Sequence, residues 1–108
     1  MIRGKLFKEM RFFDEKFIMY CEDTDLCLRI REWGYNIYFI PRAEITHYRG
    51  WAGRSMESLN YYFSSHRYYY QKNFTGIYKK MLLFLNRFEW FYEKIFFKAK
   101  LLLKSKKT

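Results

Sequence analysis

The chain is poor in the residues that staple, break or span. Its 108 residues include one proline, two cysteines and five glycines. Cys21 and Cys27 are separated by five residues and lack C-x-x-C spacing. That argues against a zinc knuckle or redox pair, and two free, partly buried thiols, as in a cytosolic chain, are expected. Long apolar runs are missing too. The longest unbroken one is Met81 to Leu85, far short of the roughly 20 residues that cross a bilayer. Met1-Ile2-Arg3-Gly4-Lys5 has no apolar h-region, so a signal peptide is not expected. Repeats are absent, and biased composition is confined to Lys104-Ser105-Lys106-Lys107. Acids are scarce only at the end. Residues 76–108 carry nine basic and two acidic side chains (net +7), whereas residues 1–75 carry twelve and nine (net +3). The total of +10 is therefore mostly a property of the tail, and an anionic surface is the partner expected for that tail. A nucleic-acid binder is disfavoured, because no binding motif appears and acids interrupt any basic surface in the first half.

What is present is a small domain's worth of apolar material. Half the residues are hydrophobic and 24% aromatic, which is not a disordered composition. Residues 1–9, with Leu6 and Phe7, are expected to form a short strand and its flank, and residues 10–21 an aromatic loop. From Glu22 the period turns helical: Leu26, Ile30 and Trp33 fall at i, i+4 and i+7, and Gly34 stands where helices end. Tyr35 to Ile40 reads as a buried strand, Pro41 interrupts it, and Ala43 to His47 reads as a second short strand. Gly50-Trp51-Ala52-Gly53 is a loop, and Ser55 is an N-cap for a helix over about 56–74. Gly76 marks a break. Polar pairs at 79/80, 86/87 and 93/94 recur every seven residues between apolar ones, which predicts one long helix over 77–104 with a basic stripe and a broad apolar face.

The densest chemistry lies in Tyr20-Cys21-Glu22-Asp23-Thr24-Asp25-Leu26-Cys27-Leu28-Arg29, where three carboxylates occupy four positions. One reading is structural: acids at a helix N-terminus favoured by the backbone dipole, with Asp25 paired to Arg29 at i+4. The other is catalytic, with one ionised carboxylate removing a proton from an acceptor hydroxyl. His47 is either a structural histidine at a strand end or a metal ligand. The loop His47-Tyr48-Arg49-Gly50-Trp51-Ala52-Gly53-Arg54 reads from its residues as a surface turn ahead of a helix, with glycines that would let it move. His66, beside Tyr68, Tyr69 and Tyr70, is a packing or surface residue.

The ordered series Phe13-Asp14-Glu15, Phe17-Ile18-Met19-Tyr20, Glu22-Asp23-Thr24-Asp25-Leu26-Cys27-Leu28-Arg29, Gly34-Tyr35, Pro41 and His47 resembles the second half of family 2 glycosyltransferases of the rhamnosyltransferase-like and galactofuranosyltransferase-like kind. The likeness runs from residue 2 to about 75. It implies an α/β architecture: the C-terminal part of a GT-A fold, with short strands followed by long C-terminal helices. Residues 1–54 would be the acceptor-side half, 55–75 a closing helix and 76–108 a basic amphipathic tail. It also implies transfer of a sugar, with inversion, from a nucleotide-sugar to a glycan or lipid-linked acceptor, as in cell-surface polysaccharide synthesis. By the same resemblance Asp23 is the base, Glu22 and Asp25 its flanking acids, and His47 a ligand of Mn2+ or Mg2+; imidazole suits manganese better. Trp51, Arg49 and Arg54 would meet the donor.

Those enzymes bind the donor with an N-terminal half for which this sequence has no counterpart: no Gly-rich strand-to-helix turn and no second acidic motif precede Glu22. The chain is accordingly expected to be inactive alone and to depend on a missing N-terminal half. The tail is expected to attach to an anionic membrane surface, its aromatics at headgroup level, at the cytoplasmic face of the plasma membrane. The alternatives are a tail helix packed on its own body or on another copy, and a non-catalytic membrane-surface or protein-interaction module.

Overall fold

In the computed structural model, residues 2–46 and 55–105 are described. They form four helices: α1 (Gly4–Glu9), α2 (Glu22–Glu32), α3 (Met56–Asn73) and α4 (Gly76–Ser105). No strand occurs among the described residues, so the expected α/β architecture with short strands is corrected to an all-helical one.

Two segments account for the difference. The expected strand around Leu6 and Phe7 is α1, because Leu6 and Met10 bury one turn apart against Leu26 of α2, with Ile2, Phe7 and Ile30 packed around them. Tyr35–Ile40 has no regular secondary structure and is paired in no sheet among the described residues. Its side chains are open to solvent, Phe39 at 89% exposure. The second expected strand, Ala43 to His47, is likewise no strand over its described part, 43–46, where Ile45 is also 89% exposed. Strand preference reflects packing on a pleated, half-buried surface more than the backbone itself. Without a neighbouring strand among the described residues, the alternating pattern has nothing to pair with.

The helix ends follow local chemistry. α2 closes at Gly34 (φ 81°), whose N–H donates to the Arg31 carbonyl at 2.9 Å while Tyr35 N–H reaches the Ile30 carbonyl at 3.1 Å. This is the Schellman arrangement that a left-handed glycine permits. α3 opens with reciprocal caps: Ser58 N–H donates to Ser55 Oγ at 3.0 Å, and Ser55 N–H to Ser58 Oγ at 3.1 Å. Phe74 and Thr75 then join α3 to α4, with Gly76 at φ 60°.

α3 and α4 pack as an antiparallel hairpin. Asn86 Nδ2 donates to the Phe63 carbonyl at 3.3 Å, and Trp90 Nε1 to Asn60 Oδ1 at 3.1 Å. Phe63 and Asn86 are buried at that seam. An open groove of about 590 Å3 runs beside it, lined by Asn60, Arg67, Arg87 and Trp90 among others. The side of α4 turned away from α3 stays exposed, including Tyr78, Leu85, Tyr92 and Phe96. No helix among the described residues is long and apolar enough to cross a membrane.

Candidate active site

The acidic cluster sits in the first turn of α2, entered through an unusual backbone. Tyr20 and Cys21 both adopt left-handed conformations (φ 71° and 67°), as do Arg11 and Phe12 (φ 57° and 59°) at the other end of the loop. Each non-glycine residue in that region costs on the order of 1–3 kcal/mol, so the surroundings must over-determine it. They do so from two sides. Arg29 Nη1 donates to the Met10 carbonyl at 2.6 Å and Nη2 to the Phe12 carbonyl at 2.8 Å, fixing the first pair. Ser65 of α3 donates to the Met19 carbonyl at 2.6 Å, and the Tyr62 ring meets Tyr20 at 5.5 Å, fixing the second.

Behind the cluster lies an ion-pair network. Asp25 is fully buried. Its Oδ2 accepts Arg29 Nε at 2.9 Å, and its Oδ1 lies 2.7 Å from Lys72 Nζ of α3. Lys72 also donates to Asp14 Oδ2 at 2.8 Å, the atom that accepts Tyr68 Oη at 2.9 Å. Lys72 Nζ stands 5.7 Å from the Phe17 ring, which packs edge-on against Tyr68 at 4.8 Å. Burial lowers the Lys72 pKa, but its bonds to Asp14 and Asp25 outweigh that and keep the ammonium charged. Burial raises Asp14, yet Lys72, the Lys16 N–H and the Tyr68 hydroxyl together hold it down at about 2.

The Asp14 shift has a definite sign. The folded pKa lies below the ordinary value of 3.8, so its stabilisation is complete above about pH 4 and is lost as pH falls towards 2. Urea midpoints measured from about pH 5 to about pH 2 are expected to fall through that window, and Asp14→Asn to flatten that limb.

Of the three acids, Asp23 is the exposed one. Its Oδ1 accepts only local bonds, from Thr24 N–H at 2.7 Å and Thr24 Oγ at 3.4 Å. Glu22 is half-buried, and its Oε2 is shielded from solvent with no hydrogen-bond partner among the described residues. Cys21, next to them, is buried. Burial first, and then the charges of Asp23 and Glu22, push its thiol up to about 11, so it stays protonated and is a poor nucleophile. Cys27 is exposed; neither cysteine is in a disulfide.

His47, Arg49, Trp51 and Arg54 lie outside the described residues. The described donors alone do not fit a divalent cation. Both Asp25 oxygens are taken by cationic side chains, and no group of three His, Cys, Asp or Glu residues is placed to hold an ion among the described residues. His66 points its Nδ1 at the Tyr62 carbonyl (2.8 Å) and packs on the Tyr62 ring at 4.2 Å.

The stripe that sequence reasoning missed is on α3. Tyr62, Ser65, Tyr68 and Lys72 recur at helical spacing and together grip the loop that delivers the acids. Their signal was a lysine and a serine on an otherwise aromatic face.

The proteins similar to this chain are rhamnosyltransferases. Rhamnosyltransferase WbbL of Escherichia coli K12 is 29% identical over 89 residues, which is 82% of this chain and 32% of that protein. The N-acetylglucosaminyl-diphospho-decaprenol L-rhamnosyltransferase of Mycobacterium tuberculosis is 35% identical over 49 residues, 45% of this chain and 16% of that protein. The matched region thus spans about a third or less of each relative. No family model matches the chain, and no solved structure does.

Proposed function

We propose that the chain forms the acceptor-side part of a glycosyltransferase that transfers rhamnose from a nucleotide-sugar to a glycan or lipid-linked acceptor. The likeness to the E. coli and mycobacterial enzymes supports the substrate class. The observation that carries the residue assignment is the contrast among the acids: Asp25 is neutralised and buried, while Asp23 stands open at the same helix start. Asp23 acts as the general base. It takes the proton of the acceptor hydroxyl as that oxygen bonds to the anomeric carbon. The bond from that carbon to the nucleoside diphosphate breaks on the opposite face, so the configuration inverts. Asp25, through Arg29 and Lys72, is a positioning residue.

A donor-binding part must complete the site. Rhamnosyl transfer is expected when this chain is joined to the part of the E. coli relative that lies outside its matched region, and not with the chain alone. Turnover by the chain alone would refute the dependence on a donor-binding part. A folded chimera that binds nucleotide-rhamnose yet transfers nothing would refute the acceptor-side role.

A further inference from the structure

We propose that α4 docks onto an anionic lipid bilayer, lying in the headgroup plane with the face turned away from α3. That face is a single continuous surface. Ile77, Met81, Phe84, Phe88, Phe91 and Ile95 follow one another at alternating steps of four and three, each between 49% and 72% exposed. At 3.6 residues per turn they and their neighbours define an apolar arc of roughly 140° that holds no charged side chain. Asn86 and Trp90 point the other way and bond to α3, so among the described residues the arc faces away from the helix that α4 packs on.

The charges decide the occupant. Lys80, Arg87 and Lys98 are exposed and run along one edge of the arc. Residues 76–108 as a whole carry nine basic and two acidic side chains. An arc this wide exceeds a coiled-coil seam, which uses two positions in seven, so one partner helix leaves part of it wet. A second copy also brings another chain of formal charge +10 to the same place. A bilayer covers the whole arc, and anionic headgroups meet its basic edge.

Trp90 takes no part in this face. It bonds to Asn60, with Lys94 Nζ 4.5 Å above its ring. The docking elements are phenylalanines and aliphatics.

Co-sedimentation of the full chain with vesicles tests the inference. Binding is expected with phosphatidylcholine mixed with phosphatidylglycerol, and much less with phosphatidylcholine alone. Lys80→Glu with Lys98→Glu is expected to weaken binding to the mixed vesicles roughly tenfold or more at low salt. Phe84→Ser with Phe88→Ser is expected to weaken binding to a similar degree. Those side chains are exposed, so the helical circular dichroism should be kept. If a variant fails to fold, a salt titration of the unmodified chain serves instead, and its binding must fall as salt rises. Equal binding to both vesicle types, no binding, or a lipid-free dimer dissociated by the Phe84 and Phe88 changes would each overturn the inference. None of these results touches the transferase reading, which rests on Asp23.

Discussion

Asp23→Asn in the complemented enzyme is expected to lower turnover by about 10²–10⁴-fold, the range that a positioned general base contributes. The substitution is nearly isosteric. The amide oxygen can still accept the Thr24 N–H bond now made at 2.7 Å, so the local geometry has no reason to move. What it loses is the capacity to take a proton. Asp23 is exposed and makes only neighbouring contacts, so folding should shift by no more than the 0.3–1 kcal/mol or so that an acid contributes at a helix N-terminus. The discriminating readouts are turnover and donor affinity measured side by side. Lost turnover with unchanged binding of nucleotide-rhamnose fits a base acting on the acceptor. Lost donor binding would mean that Asp23 belongs to the donor site. Unchanged turnover would return the cluster to a purely structural role.

Glu22→Gln provides the internal comparison. Glu22 shares the helix start but is half-buried, with one carboxylate oxygen cut off from solvent and from any partner among the described residues. Neutralising it removes a partly shielded charge but also an acid favoured at the helix N-terminus, so a stability change of no more than about 1 kcal/mol is expected, with a lesser effect on turnover than Asp23→Asn. The two substitutions together separate charge at this turn from charge at one atom.

How much of this was legible in the sequence depended on distance along the chain. α2, α3 and α4 were readable, because their signals are local: the i, i+4, i+7 apolar period from Leu26, the glycine at position 34, the serine cap at 55 and the seven-residue recurrence after Gly76. The Asp25–Arg29 pair was readable for the same reason. The strands were misread because alternation at Tyr35–Ile40 reports only that a strand could form, and pairing is a property of a neighbour. The α1 turn was too short for its period to count. The network behind the acids was invisible, since Lys72 lies 58 residues from Asp14 and Ser65 lies 46 from Met19. Nothing local marks those residues as partners; only the return of α3 across the loop does.

Asp25→Ala should have the largest effect on the fold, and its size follows from what it leaves behind. The carboxylate is fully buried between Arg29 Nε at 2.9 Å and Lys72 Nζ at 2.7 Å. Removing one member of a buried ion pair costs about 3–5 kcal/mol, because the remaining charge is left without compensation. Here two cations lose a partner, although Arg29 keeps the Met10 and Phe12 carbonyls and Lys72 keeps Asp14. Those remaining bonds argue for the lower half of the range. Even so, about 3 kcal/mol is a large part of the 5–15 kcal/mol that holds a domain together. Denaturant unfolding should show the loss directly, and Asp23→Ala, as an exposed control on the same turn, should lose about 1 kcal/mol or less. A double-mutant cycle with Lys72→Met isolates the link between α2 and α3. Strong coupling would mean that α3 holds the acidic turn in place through Lys72. Additive losses would leave that task to Arg29 and to the Ser65 and Tyr62 contacts, and Lys72 would then serve only to fasten Asp14.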